Sequence, residues 1–390
     1  MIQTFVAFTE EIDDVESAVA EVLSQFDVTA LKRNTVGILA CHYEFIHSGV
    51  VKALCDALPF PVTGTITTAQ AVEGKSSILA LTLTVMTSDD IVFQPVLSQP
   101  LTGGGDNAKA MIAAAYTDAV AAQGQRPAIA FVYAPFMIEN SGDDYVAILS
   151  EVSGNVPFFG TVAVDDTLDF RDCFTIYEGV HYHDRMALVL FYGDLHPKFR
   201  IATISSDKIF PNKALITSSD GHILKGVNDR PVSEFFKNLG LVQASETGYA
   251  MSSLPFMLDY NDGSPPVSRV FVNLNEKQEA VCAGAMPVGA TLQLGAFDKE
   301  DVLLTSRAAL KEALDQVDNT ASFILIYSCV ARNMSLGGDI LAELDAIKED
   351  IGTKIPFMMA YSGGEICPTE AENAVATNRF HNNSFVLCLL

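Results

Sequence analysis

The sequence predicts a two-domain protein of the α/β to α+β class, in which mixed β-sheets are flanked by helices. At 390 residues the chain is long for one domain and long enough for two that each bury a core. Apolar residues make up 49% and charged residues 18%, a balance typical of a globular protein and not of a disordered one. The third observation is a recurring order of apolar strand patterns and helical patterns, which predicts repeated β-α-β-β units.

The clearest unit covers residues 323–368. FILIYSC (323–329) and IPFMMAYSGGE (355–365) have the apolar runs of buried strands, and an amphipathic helical pattern lies between them. A parallel β-α-β crossover places the carboxyl ends of both strands at one edge of the sheet. Ligands commonly bind at that edge in open α/β sheets, so we expect the functional residues there.

The same order of elements occurs twice more, around residues 35–86 and 127–193. Pro157 to Met186 and Pro356 to Phe385 both span 29 residues, and each of these blocks begins with Pro-Phe. Similar patterns at one spacing indicate an internal duplication. A linker around residues 196–212 divides the chain, which predicts domains at residues 1–200 and 210–390.

Composition excludes several classes of function. The chain has 24 basic and 48 acidic residues, a net charge of −24, whereas nucleic acids and anionic membrane faces require a basic surface. The amino terminus lacks the pattern of a signal peptide, and no apolar run is long enough to span a membrane. Seven cysteines without a CxxC motif are typical of reduced thiols, so we expect a cytoplasmic protein with no nucleic-acid partner and no membrane insertion.

Candidate ligand-binding residues cluster at the ends of the two strands in the 323–368 unit. They are Tyr327, Ser328, Cys329 and Arg332 after the first strand, and Tyr361, Gly363, Gly364 and Glu365 after the second. Our hypothesis is that Arg332 binds a carboxylate and Glu365 an ammonium group, as recognition of an amino acid would require. An intramolecular Arg332–Glu365 salt bridge is the structural alternative.

Three further residues extend this set. Asp259 and Arg269 could form one wall of the pocket or a structural ion pair. Cys329 precedes a helix, where a thiol pKa can fall, and His381 could act as its base. A Cys329-dependent hydrolase or transferase is therefore one alternative function, and a buried structural cysteine is the other interpretation of this residue.

A polar run at residues 181–184 raises the question of a cofactor. His181 and His183 share one face of an extended segment, and Asp184 follows them. Two imidazoles and a carboxylate could bind a metal, or one imidazole could bind haem iron. The run also directly precedes an apolar strand, as a polar turn would, and we predict no cofactor.

Several motifs resemble those of the FIST family. LPFMLDY (254–260), AMPVGATLQL (285–294), SCVAR (328–332), SGGEICP (362–368) and HNNSFVLCLL (381–390) are similar to its C-terminal domain, and FVYAP (131–135) and VPFFGTVAVDD (156–166) to its N-terminal domain.

The resemblance implies a cytoplasmic sensory module of signal transduction that binds small ligands, with amino acids proposed for many members. Some members are known to bind haem and respond to nitric oxide, so a haem-based gas sensor is a second alternative function. Many members carry an attached output domain. None is recognisable here, so the resemblance implies that this chain relays its signal to a separate partner such as a kinase or cyclase.

Overall fold

The computed structural model describes residues 1–137, 139–167, 170–240, 254–296, 298–316, 321–369 and 377–390. Within those residues the protein is a mixed α/β structure with nine α-helices and four sheets, which confirms the predicted fold class. Elements are numbered below in chain order.

The first unit begins with a strand and a capped helix. Its elements are β1 (Gln3–Thr9), α1 (Val15–Leu23), β2 (Asn34–Cys41), α2 (Glu44–His47), α3 (Val50–Ala57), β3 (Val62–Ile66), β4 (Gln70–Val72), β5 (Lys75–Ser77) and β6 (Leu81–Ser88). Asp14 starts α1 because its side chain accepts the backbone N–H of Ser17, a donor that the helix leaves unpaired.

The second unit repeats this order. Its elements are β7 (Val92–Leu97), α4 (Gly105–Gln123), β8 (Ile129–Ala134), α5 (Gly142–Ser153), β9 (Phe158–Val162), β10 (Thr175–Tyr177), β11 (Val180–Tyr182) and β12 (Ala187–Tyr192). Ser141 and Asp144 form a capping box at the start of α5, which fixes how the chain enters that helix.

The remainder of the chain holds a separate sheet followed by the third unit. The elements up to the end of that sheet are β13 (Lys198–Ala202), β14 (Ile209–Asp220), β15 (Ile223–Val227), β16 (Arg230–Pro231), α6 (Val232–Asn238), β17 (Phe256–Asp259), β18 (Val267–Arg269), β19 (Phe271–Leu274), β20 (Ala280–Cys282) and β21 (Thr291–Gly295). The third unit comprises α7 (Lys299–Asp315), β22 (Ile324–Cys329), α8 (Val330–Ser335), α9 (Ala342–Ile351), β23 (Phe357–Ser362), β24 (Glu365–Thr369), β25 (Thr377–His381) and β26 (Phe385–Leu389).

Three six-stranded sheets share one plan. Their orders are β1-β6-β2-β3-β10-β11, β7-β12-β8-β9-β24-β25 and β13-β26-β22-β23-β4-β5. In each, the two strands of the β-α-β crossover are parallel neighbours, and a hairpin from another unit completes the sheet. Strands from both predicted domains therefore share sheets, while the predicted boundary and the predicted duplication stay predictions.

The three sheets enclose a common core. Alternate residues of their middle strands face it, as Ile38, Phe131 and Leu325 show, because side chains alternate across a strand. The residues next to these pack outward against helices. The fourth sheet, in the order β18-β17-β21-β14-β15-β20-β19 with β16 beside β15, has its own apolar core.

The predicted β-α-β unit of residues 323–368 forms, with one difference. Parallel pairing of β22 and β23 brings the two strand ends together as expected. The predicted single helix between them is two helices, because the chain turns at Gly337, whose φ of +69° favours glycine. No helix in the part of the chain that the structure describes is long and apolar enough to cross a membrane.

Candidate functional site

A cavity of about 510 Å³ lies where three parts of the chain meet. One wall comes from the loop after β8 and the start of α5, the second from β19 and β20 of the fourth sheet, and the floor from the ends of β22 and β23. Small-molecule sites commonly have volumes of about 300–1,000 Å³, so the cavity has the size of a ligand site.

Aromatic side chains form the first wall. Phe136 follows β8 and is 37% exposed, and its ring stacks on Phe170 with the centroids 4.4 Å apart. Tyr145 lies deeper in the wall and is fully buried, and its hydroxyl donates to the carbonyl oxygen of Pro135. This bond ties α5 to the end of β8 and leaves an apolar surface toward the cavity.

Small apolar residues of the fourth sheet form the second wall. Val270, Val272 and Val281 line it, with the exposed Ala283 at the rim and His222 nearby. The backbone N–H of Ala283 donates to Val270, which keeps the two segments in register.

The floor is formed by the third unit. Cys329 and Asn382 line it and are only 3% and 1% exposed, and Met334 of α8 extends it. Gly363 also lines the floor. A Cβ at this position would come within 2.8 Å of the carbonyl oxygen of Ala163. The hairpin that crosses to the neighbouring sheet thus requires glycine.

The cavity is apolar and has one unpaired polar group on its floor. None of the lining residues that the structure describes is Asp, Glu, Lys or Arg. The Nδ2 of Asn382 donates to the carbonyl oxygen of His381 at 3.1 Å, whereas its Oδ1 is buried without a hydrogen-bond partner. An unsatisfied buried acceptor of this kind costs free energy.

Glu365 lies beneath the floor, fully buried. The hydroxyls of Ser362 and Ser384 are 2.5 and 2.6 Å from its two carboxyl oxygens. Burial raises the pKa of Glu365 to about 8, against the opposing effect of these two hydroxyls. The carboxyl group is therefore mostly protonated at neutral pH.

A buried residue of the first unit, Gln70, supports the view that the group at the position of Glu365 is uncharged. Gln70 is the first residue of β4, as Glu365 is of β24, and Gln70 is also fully buried. Its Nε2 donates to the hydroxyl of Thr67, three residues earlier, and the carboxyl group of Glu365 accepts from the hydroxyl of Ser362, also three residues earlier. The amide and the protonated carboxyl group are both uncharged and fill equivalent places.

The geometry does not assemble the Cys–His pair considered for catalysis. Burial raises the pKa of the Cys329 thiol, and Glu365 adds to that effect. His381 is buried with a pKa lowered to about 3, and its Nε2 lies 3.1 Å from the carbonyl oxygen of Cys367 instead. Neither of these pKa shifts favours the thiolate form of Cys329, which a nucleophilic cysteine requires.

The expected arrangement of Arg332 and Glu365 around one hollow does not form. Arg332 is fully buried and its Nη2 lies 3.0 Å from Glu343 on α9. Its guanidinium also donates to Ser306 at 2.7 Å and to the carbonyl oxygen of Val302 at 2.9 Å. The sequence analysis missed this pairing because Glu343 belongs to a helix whose polar residues suggested a solvent-facing side.

Strand alternation separates the other residues that were predicted to share the pocket. Tyr327 points into the common core and stacks on Phe159. Ser328 points the opposite way and donates to Glu343 at 2.8 Å, and Tyr361 packs in the outer core between the sheet and its helices. Gly364 has a φ of +137° and would clash through a Cβ with Phe380, so its role is also structural.

Arg269 forms a structural ion pair, but its partner is Asp143 and not the Asp259 that the sequence analysis considered with it. It is fully buried, with Nη2 2.7 Å from Asp143 of α5 and 2.8 Å from the Tyr260 hydroxyl. Its Nη1 donates to the carbonyl oxygen of Phe380 at 2.9 Å. These bonds join the fourth sheet to α5 and β25 behind the cavity.

Asp259, in contrast, accepts the backbone N–H of Asn261 at the end of β17 and does not line the cavity.

We expect Asp143→Ala to lower the free energy of unfolding by about 2–3 kcal/mol. The change leaves the buried guanidinium of Arg269 without its carboxylate, and hydrogen bonds to charged groups contribute about 1.5–3 kcal/mol. Urea unfolding measures the effect. Asp56→Ala is the control, since Asp56 pairs with Lys52 on the surface. Equal unfolding midpoints for the two variants would show that the buried pair does not join these elements.

The histidines considered for a metal or haem lie apart from the cavity. The rings of His181 and His183 are 4.7 and 4.3 Å from the ring of Phe174. Across the residues that the structure describes, no three His, Cys, Asp or Glu side chains are arranged to hold a metal ion.

Of the predicted site residues, the structure brings Cys329 and Gly363 to the cavity floor, and Glu365 is buried beneath it. The sequence analysis missed Asn382 and both walls. Asn382 belongs to a polar run before the last strand, which is typical of a turn, and only its burial shows a different environment.

Comparison with known families agrees with this architecture. The model of the FIST N domain matches residues 35–230, and that of the FIST C domain matches residues 234–368. The chain belongs to the FIST family. FIST domains are sensory domains of signal transduction, which indicates a role in sensing small ligands. No curated protein matches the chain.

Among solved structures, the FIST protein is similar to cyanuric acid hydrolase from A. caulinodans. The two share 11% sequence identity, with a TM-score of 0.38, and the match covers 100% of this chain and 99% of that one. We draw no functional argument from this similarity.

Proposed function

We propose that this FIST protein is a cytoplasmic sensor whose cavity binds a small molecule and whose bound state is recognised by a separate signalling partner, such as a kinase or cyclase. The observation that carries the proposal is the largely apolar cavity lined by Asn382, whose Oδ1 is buried without a hydrogen-bond partner. All seven cysteines are free thiols, which supports a reducing compartment.

The position of the cavity supports a relay. Its walls belong to the fourth sheet and to the second and third units, so a ligand would contact all three. A ligand that binds one arrangement of these elements more tightly than another shifts the population toward it. The Arg269–Asp143 ion pair lies directly behind the cavity and connects the same elements.

The amino-acid-like ligand predicted from the sequence stays a prediction. Apolar side chains of amino acids match the walls, while the arginine expected to bind the carboxylate is engaged with Glu343. Amino acids therefore form one group of compounds in the binding test below.

The cavity does not fit haem, the cofactor of the gas-sensor alternative. His222, Cys329 and Met334 could supply an axial ligand. The two propionates of haem, however, would lie in a cavity to which the described lining residues contribute no Lys or Arg. We therefore assign haem no role in the proposed mechanism, and a Soret band that appears on adding haem would contradict this assignment.

A thermal-shift screen of the whole chain tests the proposal. The compounds are amino acids, carboxylic acids, haem and uncharged aromatic molecules, and we expect at least one to raise Tm. A ligand at a hundredfold excess over Kd stabilises the folded state by about 2.7 kcal/mol. Ala283→Phe places a ring at the cavity rim and should remove the shift.

Val288→Phe is the matched control, because Val288 is 61% exposed and does not line the cavity. A shift that persists in Ala283→Phe would place the ligand elsewhere, and the cavity would lose its proposed role.

A further inference from the structure

The chemistry of the cavity also specifies a class of ligand, an inference that rests on the proposed function. We propose that the ligand is an uncharged, largely apolar molecule that donates a hydrogen bond to Oδ1 of Asn382. This class differs from the zwitterionic amino acids that the sequence predicted.

Charge is the first argument. Transferring an ion into an apolar site is costly unless a partner is present, and the described lining residues include no Asp, Glu, Lys or Arg. Arg269 and Arg332 are fully buried, and both are bonded to carboxylates of residues that do not line the cavity. The oxygens of Glu365 are already bonded to two serine hydroxyls. A charged ligand would therefore remain unpaired.

The orientation of Asn382 is the second argument. The carbonyl oxygen of His381 can only accept a hydrogen bond, so the group of Asn382 that faces it must be Nδ2. Oδ1 is then left as an unpaired acceptor in a side chain only 1% exposed. A donor on the ligand would remove the free-energy penalty of this unpaired atom. The polar end of the ligand is thus a donor.

The walls define the rest of the molecule. Phe136, Val272, Met334 and Phe380 line the same cavity as Asn382 and are all apolar. Burial of apolar surface contributes about 25 cal/mol per Å², so an aromatic or branched hydrocarbon body gains most from this environment. The ligand therefore has an apolar body and one hydrogen-bond donor.

Three fluorescent probes test this class. N-phenyl-1-naphthylamine is uncharged and has one N–H donor, its N-methyl derivative lacks the donor, and 8-anilino-1-naphthalenesulfonate adds a negative charge to the same ring system. We expect the amine to bind with the highest affinity. The N-methyl derivative should bind about threefold to tenfold more weakly because it leaves Oδ1 unpaired, and the sulfonate at least about tenfold more weakly.

Asn382→Leu isolates the acceptor. The variant should lose about threefold to tenfold in affinity for the amine and should bind the amine and its N-methyl derivative equally. Asn238→Leu on the surface is the control and should behave as wild type. The comparison of the three probes on the wild-type chain requires no variant, so the test holds even if Asn382→Leu does not fold.

The outcomes separate this inference from the proposed function. The proposed ligand class would be wrong if the sulfonate or the N-methyl derivative bound as tightly as the amine. It would also be wrong if an amino acid bound the wild type and did not bind Ala283→Phe, although the proposed function would then stand. If no probe distinguishes the wild type from Ala283→Phe, both proposals fail.

Discussion

Glu343→Leu is expected to lower the free energy of unfolding by about 3–5 kcal/mol, as removal of one partner from a buried ion pair does. Arg332 and Glu343 are both fully buried, and Glu343 also accepts hydrogen bonds from Ser306 and Ser328. Without the carboxylate, the buried guanidinium of Arg332 keeps its charge and loses its counter-charge. Urea unfolding followed by circular dichroism measures the change.

The double variant Arg332→Met/Glu343→Leu should recover much of this loss, because it removes both charges and replaces them with apolar groups. Asp350→Leu is the matched control, since it breaks the half-exposed Arg307–Asp350 pair, which also involves a carboxylate of α9 and joins that helix to α7. Surface pairs contribute about 0–1 kcal/mol. A Glu343→Leu variant as stable as Asp350→Leu would show that the buried pair is not formed.

The second large effect is a dependence of stability on pH that Glu365 imposes. Its pKa is about 8 in the folded protein against an ordinary value of 4.5, and burial is the main cause. Between these values the folded chain holds a proton that the unfolded chain has released, so stability falls as pH rises. The contribution is complete below about pH 4.5, decreases by about 1.4 kcal/mol per pH unit and levels off above about pH 8.

Glu365→Gln should remove this slope, since the amide is uncharged at every pH and Gln70 occupies the equivalent place in the first unit. Urea unfolding at pH 5, 6, 7 and 8 gives the difference between wild type and variant. Glu151→Gln, at an exposed residue, should leave the slope unchanged. Parallel stability curves for wild type and Glu365→Gln would mean that Glu365 is ionised in the folded state.

The sequence predicted the third unit well because its signals are local. Apolar runs and helical periodicity identified β22, β23 and their parallel pairing. The same signals could not predict which side chains face one another. Arg332 and Glu365 follow adjacent strands, yet Arg332 points toward α7 and α9 while Glu365 lies below the cavity.

The cavity itself could not be predicted from the sequence. Its walls come from Phe136 and Val272 and its floor from Asn382, residues more than a hundred positions apart whose proximity depends on how the sheets pack. Burial of Asn382 is likewise a tertiary property. Periodicity predicts which residues share one face of a single element, and it carries no information on contacts between distant elements.

The most direct test of the account is a titration of the wild-type chain and of Ala283→Phe with the compound that gives the largest thermal shift. The account predicts saturable binding of one molecule per wild-type chain and at least about a tenfold weaker affinity in Ala283→Phe, with Val288→Phe binding as the wild type does. Equal affinities in all three proteins would contradict it, because the ligand would then bind outside the cavity between the fourth sheet and the ends of β8 and β22.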